Sequence, residues 1–373
     1  MERSEAARLG WVTLGLLFHV HPRFRDRLHP ARVDPEALIS GDPARLEDSL
    51  FLQPGEAVAI LRGDFQGSAA REMESCRRQG VGLVTWDDAG YPPGLRMLPE
   101  PPAYLYVRGS IHPDDEIAVA LVGSRRASPY GGAAGRMLGS GLAGRGVTVV
   151  SGLARGIDAC AHQGALESGG RTLAVLGCGV DITYPKENRR LMERVAGSGA
   201  VLSEYPLGAP PHPRHFPDRN RIIAGLSHAV VVIEAARNSG SLITAGVALG
   251  DLSRPVGAVP GPITSKTSLG CNDLIYDGAV PVREVDDIIG MLSDEAQRRL
   301  RPHRVLEQER AASPTMHPGS RRVLAGLSTE APRSVDEMAR SLDIAPGALQ
   351  GHLLDLELAG LVSQMPGGLY VRR

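Results

Sequence analysis

Five short stretches of this chain place glycines, small hydroxyl residues and cations directly after an apolar run. After "IAVALV" comes Gly123-Ser124-Arg125-Arg126, with Ser128 close behind. After "VTVV" comes Ser151-Gly152 and then "LARGID". After "TLAVLG" comes "CGVDITYPKENRRL", which carries Lys186, Asn188 and Arg189. After "AVLSEY" comes a loop holding Arg219, Asn220 and Arg221. After "AVVVIEA" comes "ARNSGSLITAG", with Asn238, Ser239, Gly240, Ser241 and Thr244 at the start of a helix. Glycines and short hydroxyls let backbone N–H groups approach an anion. Arginine and lysine neutralise phosphate charge. The chemistry of this set is phosphate binding.

Each loop alone also has a structural reading. Gly123 serves a tight turn, Arg125 and Arg126 are solvated surface, "YPKEN" is a turn and "NSGS" is plain helix capping. Five loops of the same make-up on one edge favour a single shared phosphate-binding face. A nucleotide enzyme is the rival. Its G-x-G-x-x-G fingerprint is missing where "GSRRAS" stands, and Gly177 and Gly179 form only a lone G-x-G. "GPITSKTS" fails as a P-loop because Ser265 precedes Lys266. Asp158, Asp181 and Glu234 are candidate acids, each with a structural role open to it: Asp158 as a cap or a partner of Arg155, Glu234 closing its strand. No catalytic constellation stands out. The ligand reading therefore favours several phosphates in a row, with Tyr130, Tyr184, Tyr205 and Phe216 as stacking or packing residues in these loops.

The elements that must position these loops follow from the patterning. "VGLVTW", "AYLYVRG", "IAVALVG", "VTVVSG", "TLAVLG", "AVLSEY", "AVVVIEA" and "PVGAVPG" are continuous apolar runs, most followed by glycine and a helical span. Strands apolar on both faces lie in a mostly parallel sheet covered by helices on both sides. Their alternation with helices predicts an α/β, doubly wound, Rossmann-like fold, whose ligands bind at the carboxyl ends of the strands. The first two runs precede the alternation and add edge strands. Residues 1–75 read as a small all-α domain of helix-hairpin type, with turns at Pro22, Pro30, Pro35, Pro43 and Pro54. Residues 76–292 form the core, 293–319 a helix and linker, and 320–373 a winged-helix domain. In that last domain Ser334 caps a helix, and "PGALQGHLLDLELAG" is the recognition-type helix, stopped by Gly360.

Composition narrows the partners. The 41 basic residues balance 42 acidic ones, so a nucleic-acid surface must be made by local sorting of charge. Lys186 and Lys266 are the two lysines of the chain. A general arginine bias accounts for that, and so does a place where a compact ammonium fits better than a guanidinium. Cys76, Cys160, Cys178 and Cys271 are far apart, which points away from a disulfide framework or zinc and towards buried thiols in a reducing cytoplasm. The apolar stretch 9–20 is too short to span a membrane and lacks the marks of a signal peptide.

The loops in order closely resemble the DNA processing protein A (DprA/Smf) family. The likeness rests on "VGSRRASPYG", "VVSGLARGIDACAH", "AVLGCGVDITYPKENRRL", "SEYPLG", "FPDRNRIIAGLS", "EAARNSGSLITA", "AVPG" and "SLGCNDLI". It covers the α/β core, and the flanking helical and winged-helix segments resemble domains of many members. The resemblance implies a non-catalytic, single-stranded-DNA-binding protein of natural transformation. Such a protein protects incoming strands and loads a RecA-type recombinase, with no cofactor or metal. It also implies a homodimer through the core, for which "LIYDGAVPVREVDDIIGML" offers an apolar patch or simply finishes the sheet. The contacts it implies are Gly123, Ser124, Arg125 and Lys186. Loop position extends the set to Ser128, Asn188, Asn220, Arg221 and Ser241. The recognition-type helix departs from DNA-reading helices: it carries Gln350 and His352 but no Arg or Lys, and the cations lie at Arg321, Arg322, Arg372 and Arg373.

Overall fold

Strand β3 (Ala118–Gly123) shows how the apolar runs build the sheet. Ala118, Ala120 and Val122 join one buried cluster, while Val119 and Leu121 join a second. Successive side chains of a strand point to opposite faces, so an unbroken apolar run buries both. Strand β7 (Ala229–Glu234) divides in the same way, with Val230 and Val232 on one side and Val231 and Ile233 on the other. The computed structural model describes residues 5–21, 24–25, 29–50, 57, 60, 64–300, 318–327, 332–358, 361–365 and 368–372. It forms two compact units, Met1–Val305 and Leu306–Arg373.

All eight expected runs are strands of one sheet. They are β1 (Gly82–Thr85), β2 (Tyr104–Gly109), β3, β4 (Thr148–Ser151), β5 (Thr172–Val175), β6 (Ala200–Ser203), β7 and β8 (Val256–Ala258). A ninth, β9 (Val280–Pro281), completes the order β1-β2-β6-β5-β4-β3-β7-β8-β9. The first two pair antiparallel at one edge, and the rest are parallel. The chain winds from β3 towards β6, then returns to the other side of β3 with β7. The crevice between β3 and β7 is therefore the topological switch point, where open α/β sheets bind ligands.

The helical start is not a separate body. Trp11, Leu14 and Leu17 of α1 (Glu5–Val20) share a continuous core with Tyr104, Tyr106 and Leu202 of the sheet. The expected boundary after residue 75 falls inside the helix Phe65–Gln79. Burial of these aromatic and aliphatic side chains against β2 and β6 fuses the two parts.

The second unit has its own core of Val323, Leu327, Met338, Leu349, Leu353, Leu356 and Val362. It contains helices Pro318–Ala325, Val335–Leu342 and Pro346–Leu358 and a three-stranded sheet. The third strand, Arg333–Ser334, adds to the expected closing pair. Ser334 caps its helix by accepting from the Glu337 N–H. Pro22, Pro54, residues 301–317 of the linker, Gly360, Arg373 and the side chains of Arg321 and Arg372 lie outside the described residues. Among the described residues no helix is long and apolar enough to cross a membrane.

Candidate nucleic-acid interface

The turn after β3 is fixed by its neighbours before any ligand arrives. The Ser124 N–H donates to the Glu234 carbonyl at 2.7 Å, and the Ser124 carbonyl accepts from the Ile157 N–H at 3.1 Å. A Cβ on Gly123 would lie 2.7 Å from Ile157 Cγ1 and 2.9 Å from the Glu234 carbonyl oxygen, so glycine is needed there. Gly156 has φ of +74° and approaches the Ser124 carbonyl so closely that no side chain fits between them. The exposed Arg125 and Arg126 project from this rigid turn.

A cleft of about 750 Å³ opens beside it at the β3–β7 switch point. One wall is Gly123, Ser124 and Arg125; the opposite wall is Asn238, Ser239, Gly240 and Ser241 after β7. The third side is the helix α2 (His215–Gly225), which presents Phe216, Arg219, Asn220 and Ile223. These fall at i, i+3, i+4 and i+7, one face of a helix. The Arg125 guanidinium sits 4.8 Å above the Phe216 ring centroid. Tyr184 lies 5.5 Å from Phe216, tilted by 38°, and is 40% exposed, so the cleft mouth has two ring faces beside a cation.

The floor is polar and committed. Arg219 is buried and donates to the Gly152 carbonyl at 2.8 Å and to the Val175 carbonyl. Asp158 accepts from the Gly152 and Ala154 N–H groups at 3.1 and 3.4 Å. Burial pushes the Asp158 carboxyl up and the Arg219 guanidinium down, each only partly offset by the other's charge. Of the two roles expected for Asp158, a cap or a partner of Arg155, the second is not taken, because Arg155 pairs with Glu187. Asp181 accepts from the Gly208 N–H. Glu234 accepts from the Ser128 N–H at 2.8 Å at the start of the helix Pro129–Gly144. A carboxylate thus already holds the helix N-terminus where a dinucleotide's pyrophosphate would sit.

Of the expected contact residues, Gly123, Ser124, Arg125, Asn220 and Ser241 line the cleft. Asn220 bridges to the Gly240 carbonyl at 3.1 Å, and the Ser241 hydroxyl bonds that of Ser239 at 2.8 Å. Lys186 is exposed on a neighbouring loop, after β5, and has no ion-pair partner among the described residues. Three expected residues take other roles. Ser128 caps its helix, accepting from the Gly131 N–H at 3.0 Å. Asn188 donates to the Leu153 and Ala154 carbonyls and so shapes the loop after β4. Arg221 leaves the set: it points to the opposite face of its helix and pairs with buried Glu204 at 2.5 Å. Arg25 joins that pair at 3.8 Å. Burial works against the Glu204 charge, and Arg221 and Arg25 outweigh it and hold the carboxyl below its usual range. Of the aromatic residues, Tyr205 is buried and stacked on His215 at 4.1 Å, which removes it as a platform.

A family model described as DNA recombination-mediator protein A matches residues 82–293, and one described as DprA winged helix domain matches residues 307–368. The chain belongs to the DNA recombination-mediator protein A family. Protein Smf of Synechocystis sp. is 36% identical over 334 residues, covering 81% of this chain and 82% of that protein. The X-ray structure of DNA processing protein A from Streptococcus pneumoniae matches with a TM-score of 0.57 and 34% identity, over 69% of this chain and 93% of that one. DNA processing protein A from Helicobacter pylori, studied for its unique single-stranded DNA binding mode, matches with a TM-score of 0.51 and 30% identity. That match covers 56% of this chain and 94% of the other. The core match of this DNA recombination-mediator family spans every loop of the cleft.

Proposed function

We infer that this chain binds single-stranded DNA without cleaving it, and hands the strand to a RecA-type recombinase during natural transformation. The observation that carries this reading is the cleft itself. Arg125, which has no ion-pair partner among the described residues, offers its charge beside the half-buried Phe216 ring and the exposed Tyr184 ring, the pairing a flexible phosphate chain with bare bases requires. The carboxylate that lines the cleft, Asp158, and buried Glu234 at the end of β7 are both bound to backbone N–H groups, so neither is free as a general acid or base. Glu234 at the helix N-terminus supports a strand over a dinucleotide. The binding mode of the Helicobacter pylori relative favours the same ligand. The contact set is Gly123, Ser124, Arg125, Lys186, Asn220 and Ser241, with Phe216 and Tyr184 as stacking faces.

A homodimer would join two such clefts on one strand and gain avidity. The segment after the helix Leu269–Tyr276 finishes the sheet as β9, yet leaves Tyr276 91% and Val280 37% exposed, which supports a contact between copies there. Four free cysteines fit a reducing cytoplasm. The test is fluorescence anisotropy with an oligothymidylate, the matching duplex and a mononucleotide across a salt series. The single strand should win, with affinity falling steeply with salt. Tight binding of the mononucleotide alone would replace this reading with the nucleotide enzyme. Light scattering reports the dimer, and faster recombinase filament assembly on the bound strand reports the hand-over.

A further inference from the structure

The two lysines of the chain stand on opposite sides of the cleft. Lys186 follows β5 and Lys266 follows β8, so both sit at the carboxyl edge of the sheet. In the order β5-β4-β3-β7-β8 the strands that lead to them are four steps apart, with the β3–β7 cleft between those strands. At a spacing of about 4.8 Å per strand that is roughly 19 Å. A strand stacked at a rise of about 3.4 Å covers that distance with about six nucleotides, and a stretched one with fewer.

The loop that carries Lys266 is held from two sides and braced within. The Asn272 side chain accepts from the Gly261 N–H at 3.2 Å and donates to the Gly261 carbonyl at 3.0 Å. Tyr130, in the first turn of the helix that follows the Gly-Ser-Arg turn, donates to the Pro260 carbonyl at 2.9 Å. The Ser265 and Thr267 hydroxyls bond each other at 2.9 Å. On this fixed loop Ile263 is 85% exposed, an apolar side chain offered to water with no cover. Lys266 is exposed and has no ion-pair partner among the described residues, whereas nearby Arg237 is neutralised by Asp273 at 2.7 Å.

We propose that residues 261–267 form a second strand-contact element, where Lys266 neutralises a phosphate and Ile263 packs on a base or sugar. The strand runs across the sheet edge from Lys186, through the β3–β7 cleft, to this loop. This rests on the single-strand reading above and gives that strand a path. The experiment compares the full-length parent, Lys266→Ala, Lys266→Arg and Arg125→Ala on a trinucleotide and a dodecanucleotide of thymidylate. Lys266→Ala should weaken dodecamer binding about threefold or more and lower its salt slope by about 0.7, one phosphate of a single strand. The trinucleotide, held in the cleft and too short to reach the loop, should bind Lys266→Ala as it binds the parent. Lys266→Arg should restore the slope. Ile263→Ser should weaken the dodecamer alike at all salts. Unchanged dodecamer affinity and slope in Lys266→Ala, with Arg125→Ala impaired, overturns the path. A parent that binds no single strand overturns the reading beneath it instead.

Discussion

The Arg125 guanidinium lies over the ring of Phe216, which joins the turn after β3 to the cleft-facing side of α2. The two residues are far apart in sequence, one on the turn after β3 and the other in the first turn of a helix that follows β6. Their contact holds a charge and a flat ring side by side, with Tyr184 next to them. A nucleotide presents the same pair, a phosphate and a base, so under the proposed function the site would be arranged before a strand arrives and less ordering would be needed on binding.

Replacing Arg125 with Ala should weaken single-strand binding by about tenfold or more, the size of a lost charge-assisted hydrogen bond, about 1.5–3 kcal/mol. Arg125→Lys keeps the charge but loses the planar stack, so it should recover only part of the loss. Phe216→Ala should also weaken binding. The double variant should lose less than the sum, by about 0.5–1 kcal/mol for the broken cation–ring contact. Anisotropy titrations of the four proteins at one salt concentration close the cycle. Strict additivity would mean that the contact plays no part in the bound state.

The strands were legible because an apolar run buried on both faces needs no distant information, as the two-sided division of Ala118 to Val122 shows. The Gly-Ser-Arg turn was legible because it sits at a strand end, where the fold puts ligands. Arg221 was not, because loop position ignores side-chain direction. On a helix, residues two apart face different ways, so Arg219 at the cleft floor sends Arg221 to the back. Placing Phe216, Arg219, Asn220 and Ile223 on one helical face would have revealed this. Ser128 needed Glu234, 106 residues away, to show that its N–H is taken. The union of α1 with the sheet likewise depends on contacts such as Trp11 to Asp87, which local patterning does not report.

Arg221→Ala should act on stability and spare binding. Its side chain and that of Glu204 are 11% and 8% exposed, so removal leaves a buried carboxylate whose remaining arginine partner among the described residues is Arg25, at 3.8 Å. Breaking such a pair costs about 3–5 kcal/mol when no partner remains, and Arg25 should reduce that to about 2 kcal/mol. Urea denaturation gives the loss. Anisotropy on the folded fraction should give the parent's affinity. A variant of full stability that fails to bind would return Arg221 to the contact set.

Stability should fall as the solution is acidified, in part through His162. Its Nδ1 lies 2.7 Å from the Thr172 hydroxyl, which itself donates to the Val149 carbonyl, so the ring carries its proton on Nδ1. Nε2 is buried and has no hydrogen-bond partner among the described residues, and a second proton there would be an uncompensated charge. Burial, and after it the Arg219 charge, lowers the imidazole from 6.5 to about 3. The unfolded chain takes up that proton first. The contribution is therefore complete above about pH 6.5 and is lost towards about pH 3, at about 1 kcal/mol per pH unit. His19, His215 and His228 are also lowered, chiefly by burial, and add to the parent's slope with the same sign. His162→Gln should be less stable near neutrality but shallower in its pH dependence by about one proton. Denaturation midpoints across this range test it, and an unchanged slope would show that His162 is not the group.

Removing the chain after Val305 should leave single-strand binding nearly intact. The two units have separate cores, so the first should keep its fold. All the cleft residues lie in it. The cations described in the second unit are already engaged. Arg322 donates to the Leu342 carbonyl, Arg333 to the Gly326 carbonyl and the Ser341 hydroxyl, and Arg340 to the Asp336 carbonyl. The recognition-type helix brings exposed Leu354, Asp355 and Glu357 instead, and its His352 is bonded to the Ser320 hydroxyl at 3.0 Å. Such a face repels phosphate rather than holding it, since affinity for a strand follows the number of phosphates neutralised. The truncated and full chains should therefore bind a dodecanucleotide within about twofold of each other and with the same salt slope. A loss as large as that from Arg125→Ala would place part of the strand site in the winged-helix unit.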